Sequence, residues 1–119
     1  MKALWLGLVL CLGAGAGTAQ EVATVAQGAV LRGLDKINGV AQDLDLANGQ
    51  SGVFGSLDVA LGECRYPVDD PAGDAFAYLT ISEQDSGAVI FSGWMLASSP
   101  ALNALEHPRY DIWVLRCKI

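Results

Sequence analysis

The chain has 119 residues and carries 7 Lys and Arg against 13 Asp and Glu, for a formal net charge of −6. A surface this acidic repels phosphate backbones and anionic lipid headgroups, which argues against a nucleic-acid partner. The length suffices for one domain with a modest core and is too short for two.

Taken in chain order, residues 1–19 read MKALWLGLVLCLGAGAGTA: one basic residue, Lys2, an uncharged run from Ala3 to Leu12, then small residues ending at Ala19. That is the order of a secretory signal peptide, with cleavage expected after Ala19. The apolar run is shorter than the ~20 residues a bilayer span needs, so the chain is not expected to be an integral membrane protein. Cys11 follows Leu10 rather than a small residue, so it reads as part of the apolar run and not as a lipid attachment site. The expected location is the periplasm. With the leader removed, Cys64 and Cys117 remain. An even pair in an exported chain, with no Cys-x-x-Cys spacing, predicts a disulfide. Residues 20–29 have little apolar pattern and are expected to form a mobile N-terminal arm. Residues 30–119 form the expected single domain.

Within it, short β-like runs alternate with turn residues. Val30 to Ile37 is followed by Asn38-Gly39, a dipeptide that tolerates the positive φ values of a type I′ hairpin turn. In the partner run, Val40, Leu44 and Leu46 share one face, opposite Ala41, Asp43 and Asp45, as a strand with one wet face requires. Asn48-Gly49 marks a second turn. Val53-Phe54 begins a short strand interrupted at Gly55-Ser56. The run from Leu57 changes register near Gly62, which predicts a bulge before Cys64. Pro67 to Asp74 is a loop, with two prolines and three aspartates. Ala75 to Ser82 and Ala88 to Leu96 are further strands, separated by a polar turn from Glu83 to Gly87. About seven strands at this spacing predict an all-β fold, a single small antiparallel β-sandwich or barrel.

The last block holds the residues most open to a chemical reading. Ser99 can cap a helix and Pro100 can occupy its first position, so residues 99–106 are expected to form one short helix that Pro108 ends after His107. Tyr110 to Cys117 is the final strand, with Trp113, Leu115 and Cys117 expected on one face. Ser98 or Ser99 as nucleophile, His107 as base and Asp111 as its orienting carboxylate have the residue types of a small hydrolase. They lack a Gly-x-Ser-x-Gly elbow and an evident oxyanion loop. His107 with Glu106 and Asp111 is a thin ligand set for a metal, and Asp69, Asp70 and Asp74 lack the spacing of a calcium loop. No cofactor is expected. Trp94 and Trp113 lie on apolar strands, where core packing is the expectation and a partly exposed aromatic patch that binds a ligand the alternative. Trp94, His107, Asp111 and Trp113 thus form the candidate functional surface.

The blocks LRGLDKINGV, Leu31 to Val40, and GWMLASSPALNALEHPRYDIWVLRC, Gly93 to Cys117, resemble the DUF2155 family of exported bacterial proteins of unknown function. The resemblance implies a bacterial envelope of the α-proteobacterial kind and brings no assigned catalytic or binding residues. The residues themselves then favour a non-catalytic periplasmic domain that binds or scaffolds an envelope protein or ligand, with the small hydrolase and the aromatic ligand module as the alternatives.

Overall fold

A computed structural model describes residues 23–119, so the expected leader lies outside the described residues. Eight strands follow one another: β1 (Ala23–Val25), β2 (Gly28–Asp35), β3 (Ala41–Ala47), β4 (Ser51–Phe54), β5 (Leu57–Pro67), β6 (Phe76–Glu83), β7 (Val89–Leu96) and β8 (Tyr110–Lys118). They form two antiparallel sheets. One has the order β1-β5-β6-β7 with β4 also paired to β5, and the other has the order β3-β2-β8. The sheets do not close into a barrel. Their inner faces share one core, in which Leu31, Leu57, Val59, Leu61, Leu79 and Ile81 are all but fully buried. Each such side chain contributes about 1.5–3 kcal/mol relative to an exposed one.

The expected mobile arm is, from Ala23 on, paired chain: β1 adds to the second half of β5, and Ala26 is buried. The short run EVATVAQGA gave no periodic signal because its paired residues are split between two strands, Ala23–Val25 in β1 and Gly28 and Ala29 at the start of β2. β3 follows the expected alternation in its second half, with Leu44 and Leu46 buried and Asp43 and Asp45 exposed, but Val40, expected on the face of Leu44 and Leu46, precedes the strand and is 54% exposed. The β2–β3 hairpin forms, but its turn is longer than the two residues expected. Asp35 N–H donates to Val40 O and Gly39 N–H to Asp35 O, which leaves residues 36–39 as the loop. The cause is Asp35, whose Oδ1 accepts the amides of Ile37 and Asn38 and ends the strand two residues early. Gly39 takes the positive φ, 76°.

Gly55-Ser56 proves to be a two-residue turn rather than an interruption, with Phe54 opposite Leu57 across the β4–β5 hairpin. The register of β5 against β6 shifts between Leu61 and Cys64, where the bulge was expected. A second bulge was not foreseen. Val30 faces Arg116 while Leu31 faces Val114, so Leu115 is the extra residue of β8. The bulge returns Cys117 to the inner face that Tyr110, Ile112 and Val114 share and leaves Trp113 on the outer one. The expected common face of Trp113 and Cys117 is thereby corrected. Cys64 Sγ and Cys117 Sγ lie 2.08 Å apart as a disulfide that links the two sheets.

The helix expected over 99–106 does not form, and no helix occurs among the described residues. One turn closes, Leu102 N–H to Ser99 O, and the chain then runs on without regular structure. This segment must carry the chain from the edge of one sheet to the edge of the other. Leu105 anchors it in the core, and Asn103 Nδ2 ties it back to Trp94 O at 2.8 Å. A helix this short is costly to nucleate and cannot outweigh those contacts.

Candidate functional site

The crossover between β7 and β8, residues 97–109, builds the site. Its walls and its anchor come from different residue types, and each has a traceable cause.

The anchor is polar. Arg109 grips Asp35 through two nitrogens, Nη2 to Oδ2 at 2.8 Å and Nε to Oδ2 at 3.0 Å. This guanidinium, joined by the Ile37 and Asn38 amides, holds the Asp35 carboxyl below the ordinary carboxylate range although burial opposes it. Lys36 Nζ donates to His107 O at 2.8 Å and lies 3.5 Å from Asp111 Oδ1. The imidazole of His107 is engaged on both sides. Its Nδ1 accepts the backbone amides of Arg109, at 3.0 Å, and Tyr110, at 3.1 Å, so the ring proton sits on Nε2, which faces Glu83 Oε1 at 3.2 Å. The ring also lies against Tyr110, with centroids 5.1 Å apart.

This arrangement does not assemble the residues of the hydrolase reading. In a Ser-His-Asp triad the imidazole donates from Nδ1 to the carboxylate and keeps Nε2 free for the nucleophile. Here Nδ1 is an acceptor, and Asp111 points to Lys36. Ser98 Oγ donates to Asp74 Oδ2 at 2.7 Å, while its amide donates to Oδ1 of the same residue. Ser99 shapes the turn through its backbone. Among the described residues no group of three or more His, Cys, Asp or Glu side chains could hold a metal ion. Asp74 of the acidic loop is occupied with Ser98 and with the Ala75 amide.

His107 therefore caps the start of β8 rather than the end of a helix. His107→Ala should cost about 1–2 kcal/mol, since two backbone donors lose their acceptor. His107→Asn should recover part of the loss, because its carbonyl oxygen can reach the same amides. Chemical denaturation of the three proteins side by side checks this. An Asn variant no better than Ala would assign the effect to ring packing on Tyr110.

The two tryptophans expected in the core both stand on outer faces, on different sheets. Trp94 is 37% exposed on β7, met edge-on by Tyr78 at 5.3 Å and covered by the Arg65 guanidinium 5.5 Å from its ring centroid. An aromatic platform needs a free ring face, and the guanidinium occupies one of Trp94's two. Trp113 is half-buried and borders a groove of about 270 Å³. Ala101, Ala104 and Leu105 of the crossover form one wall of the groove, and Asp111, Ile112 and Trp113 of β8 form the other. Sequence reasoning named Asp111 and Trp113 but missed the opposite wall, because those residues were assigned to a helix. The structure thus unites Asp111 and Trp113 at the groove, places His107 outside its lining at the start of β8, and separates Trp94. No helix among the described residues is long and apolar enough to cross a membrane.

Comparisons with known proteins bear on this architecture only at the level of family. A family model described as an uncharacterized protein conserved in bacteria, DUF2155, matches residues 29–117, which run from β2 to Cys117 and include both groove walls. An uncharacterized protein of Rickettsia prowazekii is 31% identical over 87 residues, covering 71% of this chain and 56% of the relative. The chain thus spans little more than half the length of that protein. No solved structure matches. On the family model's span and the relative's identity, the chain belongs to the DUF2155 family of bacterial proteins.

Proposed function

We propose that this chain is a non-catalytic periplasmic domain, a small β-sandwich that binds another component of the bacterial cell envelope through the groove between the crossover and β8. The observation that carries the reading is the groove itself. It is mostly apolar, it is bounded by a half-buried tryptophan, and the Asp35–Arg109 pair and the His107 cap fix the strand and crossover that form it. Sites of this kind, concave and largely apolar with a charged group at the margin, are where small domains hold ligands. The leader-like first nineteen residues and the disulfide support the location, because such bonds persist in oxidising compartments.

A photo-crosslinking amino acid placed at Ala101, on the groove wall, should give a discrete adduct in cells that export the chain. The same group at Ser92, exposed on the outer face of the β7 sheet, should give none. Equal labelling from both positions, or labelling from Ser92 alone, would move the binding surface off the groove.

A further inference from the structure

The chain has three asparagines, and two of them, Asn38 and Asn48, precede a glycine. An asparagine before glycine can modify itself in water, because the next backbone nitrogen reaches the side-chain carbonyl carbon and no side chain stands in the way. The fold treats the two sites differently.

Asn48 and Asn103 are tied by the nitrogen that would have to leave: Asn48 Nδ2 donates to Ala26 O at 2.7 Å, and Asn103 Nδ2 to Trp94 O at 2.8 Å. Asn38 is held the other way round. Its Oδ1 accepts the Val40 N–H at 2.9 Å, while its Nδ2 has no hydrogen-bond partner among the described residues. The accepted bond folds the side chain back along the following peptide and brings Cγ beside Gly39 N. It also stabilises charge on Oδ1, the oxygen that becomes an oxyanion when Cγ is attacked. The attacking nitrogens do not discriminate, since Gly39 N–H donates to Asp35 O and Gly49 N–H to Leu61 O, both at 2.8 Å. The side chains do. Around Gly39 the turn is exposed, and a Cβ built there would meet no atom within 4 Å, which leaves room for ring closure and for water.

We propose that Asn38 is a site of spontaneous modification in the folded protein, and that its product unlatches the loop beside it. Gly39 N, giving its proton to water, bonds to Asn38 Cγ; the Cγ–Nδ2 bond breaks and Nδ2 leaves as ammonia. Water then opens the cyclic imide at one of its two carbonyls, which yields either an ordinary aspartyl residue or a β-linked one. The sum is one water in and one ammonia out, with no oxidant or cofactor. The β-linked form puts one extra carbon into the main chain of the loop that Asp35 organises by accepting the Ile37 and Asn38 amides. Lys36 in that loop donates to His107 O and faces Asp111 at the groove margin. A lengthened loop loses the register of these bonds, and Lys36 is released from the crossover. The site itself does not depend on the groove-binding reading.

The test incubates the disulfide-bonded protein in mildly alkaline buffer and maps its peptides by mass spectrometry, with an isoaspartyl methyltransferase to label the β-linked product. Asn38 should lose its amide at least about tenfold faster than Asn48, the factor in rate that one hydrogen bond sets. In reduced protein unfolded by urea the two rates should converge. Hydrogen exchange at the Lys36 and Ile37 amides should quicken in the β-linked product and not in Asn38→Asp, which adds the same charge without lengthening the chain. No loss at Asn38, or equal or faster loss at Asn48 in the folded protein, would overturn the site. A preference for Asn38 that persists in urea would assign it to sequence alone and overturn the structural account. Unchanged exchange at Lys36 and Ile37 in the β-linked product would overturn the unlatching.

Discussion

Reduction of the Cys64–Cys117 bond is expected to remove about 4 kcal/mol of stability, the chain-entropy value for a loop of this length. Small domains have only about 5–15 kcal/mol in total. For a domain of roughly 100 residues the corresponding fall in Tm is roughly 15–30 °C. The position of the bond argues for the upper end of what such loops deliver. Cys64 follows the bulge of β5 and Cys117 follows the bulge of β8, so the link joins the two sheets at the point where each ladder is locally disrupted. Both residues belong to the core, Cys64 being fully buried, and the sulfurs fill volume that the unbonded thiols would still occupy. The loss should therefore come from loop entropy and not from a cavity. Melting with and without reductant measures it, alongside the Cys64→Ala, Cys117→Ala double variant. Identical melting of the oxidised and reduced forms would mean that the unfolded chain gains no freedom when the bond opens, and two free thiols in protein recovered from an oxidising compartment would remove the bond from the native state.

The same two bulges mark how far the sequence could be read. Alternation of Leu44 and Leu46 with Asp43 and Asp45 is legible because one face of β3 is wet, and a wet face writes its period into composition. The bulge at Gly62 is legible because a glycine stands where the apolar period slips. The bulge at Leu115 is not, because Ile112 to Leu115 is an unbroken apolar run with no glycine or polar residue inside it to mark the slip. That one residue separates Trp113 from Cys117, and with it the outer groove from the core. The crossover misled for a related reason. Ser99 and Pro100 are sound helix-start signals, but local signals compete with tertiary anchors, and Leu105 and Asn103 decide the path. The candidate residues Asp111 and Trp113 were recoverable as types. Their meeting with Ala101 and Ala104 depended on a sheet-to-sheet crossing that no short window of sequence encodes.

The polar cluster at the base of the crossover has the logic of a clasp. Asp35 ends β2, Arg109 immediately precedes β8, and their two-pronged bond closes the end of the sheet where the hairpin loop leaves. Glu83, at the end of β6, reaches His107 from the other sheet. Three strands from two sheets thereby fix the point from which β8 departs.

Tyr110 is expected to be the most costly single side chain to remove at that point. It is 5% exposed, packs edge-on against Phe54 with centroids 5.6 Å apart, lies under the Arg109 guanidinium at 5.3 Å, and its hydroxyl oxygen accepts the Ser56 amide at 3.3 Å. The ring thus pins β8 to the β4–β5 turn of the opposite sheet. Tyr110→Ala should destabilise by about 3–5 kcal/mol, the range for emptying a large aromatic site. The turn is shaped to receive the ring. Gly55 holds a φ of 59°, and a Cβ there would stand 2.5 Å from the Tyr110 ring. Gly55→Ala should therefore carry two costs, about 1–2 kcal/mol for the left-handed backbone and about 1–3 kcal/mol for overpacking. Only the second depends on Tyr110. In the double variant the methyl added at position 55 points into the space the ring has left, so the combined loss should fall short of the sum by on the order of 1–3 kcal/mol, while the backbone cost persists. A double-mutant cycle by urea denaturation reads this coupling directly. Losses that add to within about 0.5 kcal/mol would show that the glycine is required for its backbone alone and that the ring does not press on the turn.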